Sequence, residues 1–252
     1  MDHQPKDKQT HFGFRRVSED EKTNLVTEVF ASVAPKYDLM NDLMSFGLHR
    51  QWKRFAVNVA NIRWGQRVLD AASGTGDLAF RLAKKVGPQG IVIATDINGP
   101  MLNQGRDQFI NGGMQTSIEY VQATVEALPF LDDYFDCITI AFGLRNVVDK
   151  PAALSEFYRI LKPGGQLLIL EFSKPHSALL NKVYDFYSFN IIPKLGEFIV
   201  KDRASYQYLV ESIRMHPDQD ALKTLMQQAH FDDVKYFNLN GGIVALHQGK
   251  KY

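Results

Sequence analysis

Asp70-Ala71-Ala72-Ser73-Gly74-Thr75-Gly76-Asp77 decides the fold, because it joins an apolar run, Val68-Leu69, to a helical stretch, Leu78–Val86. Two glycines at this spacing let the backbone turn sharply and approach a ligand closely, with the amides of the next helix's N-terminus facing it. The next apolar run, Ile91-Val92-Ile93-Ala94, leads to Asp96, 20 residues after Gly76, where a carboxylate can accept hydrogen bonds from a ribose diol. Outward from this turn, Ile118–Val121, Cys137–Ile140 and Leu167–Leu170 alternate with helical segments at Pro100–Ile110 and Ala152–Leu161. That alternation predicts βαβ units, hence a parallel sheet with helices on both faces. Toward the end, Asn240-Gly241-Gly242 separates Val234–Asn238 from Ile243–His247, which predicts an antiparallel hairpin. The fold class is therefore α/β, a doubly wound, mostly parallel seven-stranded sheet closed by a terminal antiparallel hairpin.

Before the sheet, Ser18 and Glu21 form a capping box that starts a helix through Leu25, Val29 and Val33, ending ahead of Pro35. A second helix, Leu48 to Ala60, carries Trp52, Phe55, Ala56 and Val59 on one face. Between sheet and hairpin lies a helical insertion, Ala178 to Met215, broken near Pro193 and Gly196, and then a helix from Asp218 to Ala229. The resulting division is a disordered or extended tail (1–17) followed by one domain (18–252). Within that domain, residues 18–64 are N-terminal helices, 65–175 the ligand-binding core, 176–216 a helical lid, and 217–252 the last helix and hairpin.

The bulk of the sequence excludes several classes. With 29 basic against 28 acidic residues among 252, no basic excess points to nucleic acid. A single cysteine, Cys137, allows no intrachain disulfide and fits a reducing compartment. The polar start, Met1 to Thr10, lacks a signal peptide's apolar core, and the uncharged stretch Tyr236 to Gly249 is shorter than the roughly 18 apolar residues of a spanning helix. These features predict a cytoplasmic protein and leave peripheral membrane contact open.

Gly74-Thr75-Gly76 followed by Ala79 also fits the loose dinucleotide fingerprint, so the loop alone does not separate NAD from S-adenosylmethionine. Three features favour the latter. Asp70 ends the first strand, where its charge suits a methionine ammonium better than a pyrophosphate. Leu161-Lys162-Pro163-Gly164-Gly165 stops a helix and starts a strand, and the terminal hairpin adds an antiparallel strand that dinucleotide folds usually lack. From about Arg67 onward the chain resembles class I methyltransferases. That resemblance implies S-adenosylmethionine as co-substrate without a metal, bound by Asp70, Gly74, Thr75, Gly76, Asp96, Thr124, Val125 and Ala141. Thr124 departs from the class, where an Asp or Asn usually faces adenine.

Met40–Arg50, Phe142–Val147, Glu171–Pro175 and Glu211–Gln219 narrow the likeness, and from Phe12 on the chain resembles the ubiquinone/menaquinone biosynthesis C-methyltransferase family. Ala71-Ala72-Ser73 stands where relatives often carry Leu-Ala-Gly. The resemblance implies methylation of a ring carbon of a polyprenyl quinol, benzoquinol or naphthoquinol. It also implies peripheral contact with the inner membrane or other quinone-biosynthesis enzymes, and it leaves an oligomer open. An aromatic carbon is a weak nucleophile until a neighbouring hydroxyl loses its proton, so some group must accept that proton or stabilise the phenolate. Arg145, just past the fourth strand, is the leading candidate, as phenolate holder rather than base. The alternative is an ordinary ion pair. Tyr37, Asp38, Asn146 and Tyr206 are further catalytic candidates. Leu179, Val183, Phe186 and Tyr187 recur at helical spacing, read either as core or as a lid over an isoprenoid tail. Competing readings are an NAD(P)-dependent oxidoreductase, a methyltransferase for another substrate, and a non-catalytic scaffold.

Overall fold

The computed structural model describes residues 9–33, 41–42, 45–111, 118–194, 197 and 202–252. At its centre is a sheet of seven strands: β3 (Arg67–Ala71), β4 (Ile91–Asp96), β5 (Ile118–Gln122), β6 (Phe135–Ala141), β7 (Leu161–Phe172), β8 (Asp232–Leu239) and β9 (Val244–Lys250). Their order is β5-β4-β3-β6-β7-β9-β8. The first five run parallel, and β9 inserts antiparallel between β7 and β8, as the Asn240-Gly241-Gly242 turn predicts. Val68, Leu69 and Ile138 are fully buried, as strands covered on both faces require. The order reverses between β3 and β6, so the crevice at their carboxyl ends is where a ligand of an open sheet binds.

One face carries α2 (His49–Ala60) and α3 (Asp77–Val86), with Trp52, Ala56, Leu82 and Val86 in its core cluster. The other carries α5 (Lys150–Ile160) and α8 (Gln219–Gln228), contributing Leu154, Phe157, Leu222 and Met226. Between β4 and β5 lies α4 (Gly99–Asn111). Asp149 caps α5 and Asp218 caps α8, each accepting a backbone N–H at 3.0 Å.

One expectation is corrected outside the sheet. Residues 9–17, predicted as part of a tail, form most of an antiparallel hairpin of β1 (Gln9–Phe12) and β2 (Arg15–Ser18), turning at Gly13 with φ +57°. Phe12 stacks on Tyr208, and Phe14 N–H donates to Glu211 Oε2 at 3.1 Å, which orders a segment with little core of its own. The hairpin leads into α1 (Glu19–Val33), where Glu21 N–H donates to Ser18 Oγ as the capping box predicts. In the helical insertion α6 (Ala178–Phe186) passes into a π-helical turn, Tyr187–Ile191, with Ile192 N–H on Tyr187 O, and α7 (Arg203–Met215) follows. Pro193 is itself helical, and most of the expected break between it and α7 lies outside the described residues. Gly196 lies outside the described residues.

Candidate functional site

The carboxyl edge of β3 is an unusual piece of backbone. Ala72, Gly74 and Gly76 all have positive φ, at +48°, +60° and +79°. Ser73 N–H anchors the loop on Thr95 O, and Gly76 packs so closely on Phe109 that a Cβ there would meet its ring at 3.1 Å. Gly105 of α4 plays the reciprocal part: a Cβ on it would lie 2.4 Å from Thr75 O. Gly143, after β6, sits against the same loop, where a Cβ would come within 2.6 Å of Ala72 Cβ. The sequence marks the loop glycines but gives no sign that Gly105 and Gly143 serve them.

Next to this loop opens a cleft of about 770 Å³, counting the solvent-open space at its mouth. Gly74, Asp96, Thr124 and Val125, expected at the cofactor, and Asn146, a catalytic candidate, line it. Asp96 is the hub, accepting Gly74 N–H on Oδ2 and Asn98 N–H on Oδ1, both at 2.8 Å. Burial pushes its carboxyl above the ordinary range, against the pull of those backbone bonds. Each oxygen keeps a lone-pair site for a further donor. Thr124, a lining residue, donates its hydroxyl to Glu126 Oε2, while Glu126 Oε1 accepts from Val148 N–H at 3.1 Å, so Thr124 Oγ1 is left with acceptor capacity alone.

Helix α1 supplies a wall that the sequence left unassigned: Thr23, Val26, Thr27 and Phe30. It is fastened at both rims, by Asn98 Nδ2 on Thr27 O at 3.3 Å and by Lys22 Nζ on Val147 O at 3.0 Å. Lys22 is buried and its pKa is lowered to about 8, chiefly by desolvation, with Lys150 adding to the effect. The sequence pattern follows Leu25, Val29 and Val33 along α1, whereas the residues that meet the cleft are Thr23, Val26, Thr27 and Phe30.

Other predicted residues stand behind the cleft rather than on it. Asp70 is buried, with Ser73 Oγ donating to Oδ2 at 2.9 Å and Thr139 Oγ1 to Oδ1 at 2.8 Å; burial raises its pKa to about 6. Thr75, Gly76 and Ala141 shape the loop and strand ends without lining the cleft. Tyr206 is buried in the core of α7, away from the lining. Tyr37 and Asp38 lie outside the described residues.

The leading catalytic candidate has a different post. Arg145 side chain is 4% exposed and pairs with Glu171, 2% exposed, at 2.9 Å. The same Nη1 donates to Phe142 O, while Arg145 N–H donates to Glu171 Oε2 at 3.2 Å. Phe142, a lining residue whose ring packs near Trp52 and Phe172, is held at φ +57°, a strained conformation for an aromatic residue. Arg145 therefore occupies the ion pair that was the alternative reading, and it braces the turn that carries Phe142 and Asn146. Among the described residues no three His, Cys, Asp or Glu side chains gather as a metal-binding group.

The model of the ubiE/COQ5 methyltransferase family matches residues 15–251. A Serratia proteamaculans protein named ubiquinone/menaquinone biosynthesis C-methyltransferase UbiE is 61% identical over 96% of this chain and 97% of its own. Its namesake in Yersinia pestis (strain Pestoides F) is 60% identical with the same coverage. Among solved structures, a SAM-dependent methyltransferase from Aquifex aeolicus aligns with TM-score 0.59 at 18% identity, covering 79% of this chain and 89% of that one. Haemonchus contortus phosphoethanolamine N-methyltransferase 2, in complex with S-adenosyl-L-methionine, gives 0.56 at 16%, covering 75% and 49%. At such identities these structures speak for the fold alone.

Proposed function

Because the chain belongs to the ubiE/COQ5 methyltransferase family, we propose that its cleft sets S-adenosylmethionine against the ring of a polyprenyl quinol. The enzyme is an S-adenosylmethionine-dependent C-methyltransferase of ubiquinone/menaquinone biosynthesis. Its substrates are demethylmenaquinol, 2-methoxy-6-polyprenyl-1,4-benzoquinol, or both. The observation that carries this reading is the joint lining of one cleft by Gly74, Asp96 and Asn146, which brings a nucleoside-binding edge beside a polar group for the ring.

The donor set suits this co-substrate. Asp96 keeps free lone pairs for the two ribose hydroxyls, and Gly74 brings backbone within reach. Thr124, its hydroxyl donating to Glu126, accepts from the adenine amine, while Val125 and Phe30 supply apolar surface. Asp70 acts through the loop as a charge for the methionine ammonium rather than as a contact. When bound, S-adenosylmethionine supplies a methyl that passes in line to the ring carbon, leaving S-adenosylhomocysteine as the ring loses one proton. The residues orient the partners and exclude water. Val26, Phe30 and Phe142 dry the cleft, and Asn146 holds the ring oxygen on which charge builds. Arg145 keeps Phe142 and Asn146 in place. Tyr37 and Asp38 remain candidates for accepting the hydroxyl proton.

The helical insertion bears on how a long-tailed substrate is reached. Leu179, Phe186 and Ile191 are exposed on one stripe with Lys182 and Lys194. Exposed Phe46 stacks on Tyr187, and exposed Phe14 on Phe189. Apolar residues flanked by lysines suit an anionic bilayer surface, which supports peripheral membrane contact. No helix among the described residues is long and apolar enough to cross a membrane. Mass spectrometry of products from both quinol types, with S-adenosylmethionine labelled at the methyl, tests the reading. A methyl on the ring carbon of at least one supports it, and none on either overturns it.

A further inference from the structure

Asn146 ends the 3-10 turn Leu144–Asn146 and lines the cleft. Its amide can present either of two faces there. An NH₂ group stabilises an oxygen that is gaining negative charge, and a carbonyl repels it. Something must select between them. Tyr208, buried on α7, donates its hydroxyl to Asn146 Oδ1 at 3.0 Å. A tyrosine ring has few torsions, and this one is held flat against Phe12 of the N-terminal hairpin, with centroids 4.0 Å apart and an interplanar angle of 11°. The hairpin is itself tied to α7 by Phe14 N–H on Glu211 Oε2. The hydroxyl therefore has a fixed address.

We infer that Tyr208 is a positioning residue for methyl transfer: by occupying Asn146 Oδ1 it turns the Nδ2 group into the cleft, toward the ring oxygen. Arg145 Nη1 is committed to Phe142 O and Glu171, so this nitrogen holds the turn on which Asn146 sits. The inference rests on the reading of the cleft as a quinol C-methylation site and adds a residue that none of the sequence motifs signals. It also gives the N-terminal hairpin a task, because Phe12 holds the ring that holds the amide.

The test is single-turnover methyl transfer at saturating S-adenosylmethionine, using short-tailed demethylmenaquinol and methoxybenzoquinol as probes. Tyr208→Phe is expected to lower the rate tenfold or more while the cofactor Kd stays within twofold. Combined with Asn146→Ala it should cost no more than Asn146→Ala alone. Wild-type turnover in Tyr208→Phe, or losses that multiply in the double variant, would overturn the inference. Phe12→Leu keeps the hydroxyl but removes the clamp, and should slow transfer in the same direction by less. It covers the case in which Tyr208→Phe melts early, and an unchanged rate in Phe12→Leu then overturns the inference. Side-chain amide ¹⁵N relaxation of Asn146 provides a readout without chemistry. The amide should be rigid in the wild type and gain motion in Tyr208→Phe; equal mobility in both overturns the positioning role. If the wild-type protein methylates neither quinol, the proposed substrate fails, and the relaxation measurement alone decides the role of Tyr208.

Discussion

Arg145 Nη1 lies 2.9 Å from Glu171 Oε1 and donates as well to the carbonyl of Phe142, so one guanidinium joins the end of β7 to the strained turn after β6. Removing one partner of such a buried pair leaves the other charge uncompensated, which typically costs about 3–5 kcal/mol. Arg145→Ala should lower stability by about that amount, and Arg145→Lys by less, because lysine keeps the charge without the planar fork. Replacing both partners by apolar residues, Arg145→Met with Glu171→Leu, should recover part of the loss. Thermal melts and denaturant titration read the effect. A wild-type melting temperature for Arg145→Ala would return Arg145 to the reacting atoms.

Asp96 receives two backbone amides and keeps lone pairs toward the cleft. Asp96→Ala should lose charge-assisted bonds worth about 1.5–3 kcal/mol, hence roughly tenfold or greater weakening of S-adenosylmethionine binding by calorimetry. Asp96→Asn should lie between, since an amide accepts on one atom only. Unchanged affinity in folded Asp96→Ala would remove the residue from the ribose site.

What could be read from the sequence was local. Gly74, Gly76 and Asp96 announce their loop through spacing, and the β8–β9 hairpin through Asn240-Gly241-Gly242, because each signal sits within a few residues of the geometry it dictates. The orientation of Arg145 depends on Glu171, 26 positions away, and nothing near Arg145 encodes that partner. Likewise β1 and β2 hold few apolar residues, and the ring that orders them is Tyr208, at the far end of the chain. Asp70 was correctly placed at a strand end, yet whether it faces the cleft is decided by Thr139 and Ser73 closing over it.

The raised pKa of Asp70 makes two outcomes testable. In the folded protein it holds its proton to about pH 6, from an ordinary 3.8, because burial disfavours the charge. The folded state thus binds this proton more tightly than the unfolded chain. The contribution of Asp70 to stability falls as pH rises from about 4 to about 6 and is level above, by about 3 kcal/mol in all. Asp70→Asn, which stays neutral, should gain stability relative to wild type across that window. If ionised Asp70 serves the methionine ammonium, wild-type affinity for S-adenosylmethionine should rise several-fold between pH 5 and 7. Asp70→Asn should flatten the rise. Parallel affinity curves would leave Asp70 with a structural role only.

The last prediction concerns the exposed stripe of the helical insertion. Leu179 is 73% and Phe186 63% exposed, so burying either in a bilayer gains apolar transfer energy that water now denies. Lys182 and Lys194 add attraction of about 1 kcal/mol each at an anionic surface. Leu179→Glu with Phe186→Glu reverses both terms at once, removing apolar area and placing negative charge against the lipid. Neither side chain packs in the core, so the melting temperature should move by no more than a surface substitution normally causes. Sedimentation with vesicles containing anionic lipid should show the wild type pelleting and the double variant staying in solution. Raising the salt should weaken the wild-type association, since its charge component is screened. Turnover should separate in the same way: unchanged for a short-tailed, water-soluble quinol, and reduced for a long-tailed quinol presented in vesicles. Equal pelleting of the two proteins would deny this stripe a membrane role, and an equal loss with both substrates would point to a fault inside the cleft instead.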